Sequence, residues 1–359
     1  MDENELMGSM KVSKAVAKMA IPSVISSLVT VVYNVADTFF VGQTGDPLQV
    51  AAVSQTNPIF ILFMAFANMF GMGGSAAASM ALGEKKEKRV KQVSSFITYA
   101  SLIVGIVFAV ILLVGMQPVL QLFGADADTY ELAKGYTTYI SYGAPFIIWS
   151  AAASFVVRSD GASREAMTGS MIGTVANIIL DPIFISGFGM GAAGAAIATT
   201  IGNIMASVYY LWYFCRKSRN MSMAFRYFKC GDRILSQVCS AGLPTAIFSA
   251  LMSISTIILN QILVAYGNAP VAAIGIVFKA NMFITFLQMG LANGVQPLLG
   301  YSYGAGNRER FLAVERYTKK CCLIVGVLAT ALFFFFREPI IRLFISDTEV
   351  INYGVEMLI

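Results

Sequence analysis

Asp37 and Asp181 each stand in a run of residues otherwise apolar enough to lie in lipid. Asn34 precedes Asp37 by three positions and Asn177 precedes Asp181 by four, so on a helix each aspartate shares a face with an amide. A charge at the bilayer centre costs about 2.5–3.5 kcal/mol even on the gentlest insertion scales, and intramembrane carboxylates mark ion or proton pathways. Pro182 has no N–H to give, which loosens the backbone beside Asp181 and makes Pro182 a candidate hinge. Thr199, about eight residues into the next apolar segment, falls at similar depth at 1.5 Å per residue. A cage of carboxylate, amide and hydroxyl groups suits Na⁺, or a proton carried on a carboxylate. The chain has no histidine, so carboxylates must carry any proton that moves. A plainer alternative stands beside this one: Asp37 caps the outer end of its helix and meets water, and Asp181 only supports the backbone at Pro182.

The surrounding elements are expected to be membrane helices. The 359 residues are 57% hydrophobic and 13% charged, with a mean hydropathy of +0.70; a soluble domain carries about 25% charge. Apolar helices are expected at about 16–41, 50–80, 94–122, 135–157, 166–188, 191–215, 236–266, 271–302 and 312–345, with a tenth beginning near Glu349. The first is long and reads as a signal-anchor rather than a cleaved leader. Of the 25 lysines and arginines, 21 fall in the N-terminus and the alternate loops that include Lys85 to Lys91, Arg158 and Arg164, Arg216 to Arg233, and Arg308 to Lys320. Positive charge stays inside, so a multi-pass protein of the cell membrane with a cytoplasmic N-terminus is expected. That bias also accounts for the net charge of +5 and leaves no reason to expect a nucleic-acid partner. Five cysteines, odd in number and irregularly spaced, suit neither a disulfide framework nor a zinc site.

The chain repeats itself. Pro22 and Gly45 match Pro244 and Gly267 at a separation of 222. At 221, Ala51-Ala52 match Ala272-Ala273, Gly83 matches Gly304, and Leu102 to Gly105 match Leu323 to Gly326. Pro118 likewise matches Pro339, Leu122-Phe123 match Leu343-Phe344, and Asp126 matches Asp347. An even number of helices per copy starts both copies on the same side, related by an axis along the membrane normal. The expected fold is an all-α polytopic membrane protein of two pseudo-symmetric six-helix bundles. Residues 1–220 form the first lobe, 221–235 a cytoplasmic linker and 236–359 the second lobe. By the repeat, about 77 further residues would complete the second lobe.

The second lobe differs in character. Lys279 lies inside a helix, with Met282, Phe286, Met289 and Asn293 at three- and four-residue steps, and Gln261 lies in the helix before. With Asn34 these are the candidates for a substrate cavity, because Met suits a surface that repacks around varied ligands. They equally suit a lipid-facing stripe with Lys279 snorkelling to the interface. The run Gly189-Met190-Gly191-Ala192-Ala193-Gly194 fits a dinucleotide fingerprint, but it follows a membrane helix rather than a strand. It reads as a close helix turn, and Asp160 to Arg164 reads as a tight loop.

The run Tyr33 to Gly42, the loop Arg158 to Arg164, Asn177 to Pro182 followed by Gly194-Ala195-Ala196, Tyr266-Gly267-Asn268 and Leu298 to Ala305 resemble the MATE (multidrug and toxic compound extrusion) family, in its MepA-like and DinF-like branch. The resemblance implies twelve helices in two lobes about a central cleft, alternating access, and no enzymatic activity. It implies export of amphipathic, mostly cationic drugs in exchange for H⁺ or Na⁺, with no other cofactor, by a monomer. It places the cation site at Asp37, Asn177, Asp181 and Thr199, and a bend of the first helix at Pro22. The main rival is a flippase for a lipid-linked or polyanionic substrate, which would need a strongly basic cleft. An intramembrane aspartyl protease would need Tyr-Asp and Gly-x-Gly-Asp, whereas these aspartates follow Ala36 and Leu180. A channel would need polar residues through both leaflets.

Overall fold

The computed structural model describes residues 3–42, 46–229, 231, 233–264, 268–342 and 348–358. The repeat partners Gly45, Gly267, Leu343, Phe344 and Asp347 lie outside the described residues, as does the Gln261 side chain. Twelve α-helices follow in order: α1 (Glu3–Gly8), α2 (Val12–Gly42), α3 (Pro47–Gly83), α4 (Glu87–Val114), α5 (Met116–Leu122), α6 (Tyr130–Ser159), α7 (Ser163–Pro182), α8 (Gly191–Trp212), α9 (Ile234–Val264), α10 (Asn268–Gly304), α11 (Arg308–Arg342) and α12 (Thr348–Met357). No strand occurs among the described residues. Eight of the helices are long and apolar enough to cross a membrane. A bilayer allows little else, because a helix satisfies its own backbone N–H and C=O groups where no water can.

Local chemistry sets the helix ends. Asp46 caps α3, its carboxylate accepting from the Leu48 N–H at 2.9 Å, and Pro47 fills the first position, where a missing N–H costs nothing. The helix expected over 94–122 is two helices: it breaks at Gly115, whose N–H still reaches the Ile111 carbonyl at 2.8 Å. The short α1 was not anticipated. It buries Leu6 and Met7, and Arg310 on α11 donates to the carbonyls of Leu6, Met7 and Met10 at its end. Arg158, expected in a loop, occupies the last turn of α6 and is 5% exposed.

The first bundle is built around α6, which packs on α3, α4, α7 and α8 and buries Ile147, Ile148, Trp149 and Ala152. By contrast α4 leaves Ile103, Ile106, Val107 and Val110 exposed, and an apolar stripe of that kind is what lipid covers. The two halves of the chain meet where α2 crosses α10 and where α3 crosses α9 and α10. Glycines make these crossings close. A Cβ on Gly83 would collide with the Tyr301 carbonyl, and one on Gly304 with that of Met80. A Cβ on Gly73 would strike the Val238 backbone near Gly242, and one on Gly294 that of Met19 and Ala20. The repeat exchanges the members of each pair of contacts, so a pseudo-twofold axis passes between α3 and α10. All these contacts lie in the half of the molecule that carries the basic loops.

Between the halves, the segment after α8 is strapped to the first bundle. Ser94 and Ser95 donate to the Ser222 and Ala224 carbonyls, and Tyr99 donates to that of Met223. The loop residue Asp160 is 1% exposed. It accepts from the Tyr213 hydroxyl (2.8 Å), the Ser218 hydroxyl (2.7 Å) and the Asn220 amide (3.0 Å). Burial pushes its carboxyl above the usual range, against the pull of those three donors.

Candidate cation site in the first bundle

α7 carries the site and Pro182 ends it. Past Pro182 the chain winds through a π-turn, Ile183–Gly187, the wider winding that often marks functional positions. The return into α8 runs through Gly189 and Gly191 at φ +65° and +53°, which side-chain-bearing residues adopt at a cost. Gly194 then lies against the Phe184 backbone. The glycine-rich run is therefore a turn that presses α8 onto the end of α7, and it brings Thr199 beside Asn177.

Asp181 is fully buried, Asn177 is 3% exposed and Thr199 is 6% exposed. The Asn177 amide is satisfied at both ends in one orientation. Its Nδ2 donates to Asp181 Oδ2 at 2.9 Å, and its carbonyl accepts from the Thr199 hydroxyl at 3.0 Å and the Thr199 N–H at 2.9 Å. The Tyr33 hydroxyl on α2 lies 3.5 Å from the Thr199 hydroxyl. The second carboxylate oxygen, Asp181 Oδ1, is buried and has no partner among the described residues. Orphaned buried oxygens of this kind are rare, and each calls for an explanation. Asp37 is half-buried on α2 one helical turn beyond Tyr33, and Tyr136 on α6 packs with Phe40 of α2 against Ile185 and Ala195.

The structure thus brings Asn177, Asp181 and Thr199 into one hydrogen-bonded cluster, with Asp37 beside it. Two tyrosines join them that sequence reasoning passed over. Tyr33 stood four residues before Asp37, a spacing that puts both on one face. Tyr136 sits on α6 and carried no such signal. An acid or amide set of this composition fits a proton or Na⁺; among the described residues no cluster of three His, Cys, Asp or Glu could hold a metal ion.

The cavity candidates are more scattered. Asn34 is half-buried on α2, and Gln261 lies on α9. On α10, Met282, Phe286 and Asn293 are half-buried, while Lys279 and Met289 are exposed. Lys279 and Phe286 fall on the stripe of α10 that ends at Gly290, where α10 touches α2 at Val24. A cavity of about 360 Å³ lies on the opposite side of α10, among Asn281, Thr285, Gln288, Thr330 and Phe333, and none of the expected cavity residues lines it.

Comparison with known proteins settles the family. The MatE family model matches residues 22–183 and 244–359. This chain belongs to the MatE family. Its members are transporters rather than enzymes. The multidrug export protein MepA of Staphylococcus saprophyticus is 32% identical over 347 residues, covering 97% of this chain and 77% of the relative. MepA of Staphylococcus aureus is 30% identical over the same shares. A solved multidrug resistance MATE family transporter of the MOP superfamily, in an outward-facing conformation, superposes with a TM-score of 0.93 at 25% identity, over 100% of this chain and 80% of its own.

Proposed function

We propose that this MatE chain exports amphipathic, mostly cationic compounds in exchange for H⁺ or Na⁺ taken up at Asp181 and Asp37. The observation that carries the reading is Asp181 Oδ1: a buried carboxylate oxygen left unpartnered while its neighbour oxygen is held in place by Asn177. A group built only to brace Pro182 would have both oxygens satisfied. The relatives' multidrug export supports the cargo class.

Orientation follows from charge: the basic loops and the N-terminus face the cytoplasm. The glycine crossings then close the cytoplasmic end, and the two lobes, 1–220 and 236–359, part toward the outside. In that state the cation site is served from outside and the Lys279–Phe286 stripe of α10 faces the cleft with Asn34. Neutralising the carboxylates weakens the charge that α2 and α7 share. Coupling requires only that the ion bind the two states with different affinity. Pro22 and Pro182 lie where α2 and the end of α7 lack a helical N–H, and they are the positions at which those helices would bend.

The test is transport by the protein in proteoliposomes. Efflux of a fluorescent organic cation is followed under an imposed H⁺ gradient and then an imposed Na⁺ gradient, for the wild type and Asp181→Asn. Gradient-driven export by the wild type, at least tenfold reduced in the variant, is expected and names the ion. Equal export by both proteins would make Asp181 structural, and no export by the wild type would turn attention to a lipid-linked substrate.

A further inference from the structure

Buried polarity in the first bundle does not stop at the carboxylates. From Thr199 a file of amides and hydroxyls continues toward the basic end, on facing sides of α6 and α8. The Asn203 amide donates to the Thr199 carbonyl at 2.8 Å, and its carbonyl oxygen accepts from the Ser150 hydroxyl at 2.9 Å. One turn further along α6, Ser154 lies 3.5 Å from Arg158 Nη2. Ser150, Ser154 and Arg158 are four apart, so they stand above one another on one face. From Ser150 to Arg158 the file runs about 12 Å at 1.5 Å per residue.

Small polar residues between membrane helices are ordinary packing, but the group at the end of this file is not. Arg158 is 5% exposed, and its Nε and Nη1 have no acceptor among the described residues. Its guanidinium lies 5.2 Å from the Phe155 ring centroid. Asp160, two residues on, already accepts from Tyr213, Ser218 and Asn220. A guanidinium does not shed its proton, so a fixed positive charge, with no ion-pair partner among the described residues, stands at the basic end of the polar file that leads from the carboxylates. In a low-dielectric interior such a charge repels another cation strongly over several ångströms, and arginines exclude protons and cations from water pores on this principle.

We propose that Arg158 is the cation barrier of the first bundle. It keeps an ion bound at Asp181 from running down the file to the cytoplasm, so that the ion leaves only through the cleft, in exchange for cargo. Arg158 is thus a residue that makes coupling tight, and it touches neither ion nor cargo. The inference rests on the cation-exchange reading above.

The experiment measures collapse of imposed H⁺ and Na⁺ gradients in proteoliposomes without cargo, using indicators trapped inside. The wild type holds its gradient. Arg158→Gln and Arg158→Met, which keep the stem and remove the charge, are expected to dissipate the coupling cation at least tenfold faster, whereas Arg158→Lys holds as the wild type does. Adding Asn203→Leu to Arg158→Gln interrupts the file and is expected to restore tightness, which a general loosening of the bundle would not allow. The two neutral variants guard against one of them failing to fold. If either reconstitutes at wild-type levels and leaks no faster than wild type, while wild type still exports under a gradient, the barrier is overturned and the exchange reading stands. If wild type shows no gradient-driven export, the exchange reading falls and this inference falls with it.

Discussion

At the residue scale, the proposed cation site rests on one amide bridging a carboxylate and a hydroxyl. Asn177→Leu keeps the volume and removes both contacts. A hydrogen bond to a charged group contributes about 1.5–3 kcal/mol, which corresponds to a ten- to hundredfold change in the ion concentration needed for half-maximal export, read from the gradient dependence of efflux. Thr199→Val deletes one hydroxyl and leaves the carboxylate–amide contact, so a smaller change is expected. A Thr199→Val effect larger than that of Asn177→Leu would place the ion at the hydroxyl rather than at the carboxylate. Asp160 offers a separate test. Its carboxyl is raised above the ordinary 3.8 by burial, so the folded protein binds that proton more tightly than the unfolded chain. Stability from this group is greatest below 3.8 and declines as pH rises through the raised value. Relative to Asp160→Asn, the wild-type melting temperature is expected to fall as pH rises from about 4; a difference that grows with pH would contradict it.

At the element scale, the strap after α8 is held by side chains of α4 and by the single carboxylate of the α6–α7 loop. Asp160→Ala removes the acceptor of three donors at once. Faster tryptic cleavage at Arg216, Arg219 and Arg226 is expected, by several-fold, in sealed vesicles exposing the basic side. Unchanged cleavage would mean that Ser94, Ser95 and Tyr99 suffice to hold the segment. The strap fixes the linker to the first bundle through the Phe96–Phe228 ring stack.

At the scale of the whole molecule, the crossings at Gly73, Gly83, Gly290, Gly294 and Gly304 hold the two halves in close backbone contact, and the proposed alternating access requires them to part. The Gln296 amide of α10 donates to the Met72 carbonyl of α3 at 3.1 Å, so Met72→Cys with Gln296→Cys, in a background without the native cysteines, is expected to be bridged by a short, reducible thiol-to-thiol cross-linker. Export should stop and return on reduction. Export by the cross-linked protein would show that these halves need not separate.

The residues themselves carried the membrane class and the loops that hold the basic charge, and they singled out the two aspartates, because each follows from local rules. Apolar length makes a spanning helix, lysine and arginine mark one side, and an unexplained charge in lipid stands out. The repeat matched Gly83 to Gly304, and the structure puts both at the crossing of α3 and α10. Tertiary structure decided what depends on distant contacts. It placed Tyr33 and Tyr136 beside the aspartates and broke one expected helix at Gly115. It also buried Asp160 and Arg158, which by position read as solvated loop residues: a loop or helix end is buried by the segment that folds back over it, and no local spacing records that return. The orphaned Asp181 oxygen belongs to the same class, since a missing partner can be recognised only once every neighbour has been placed.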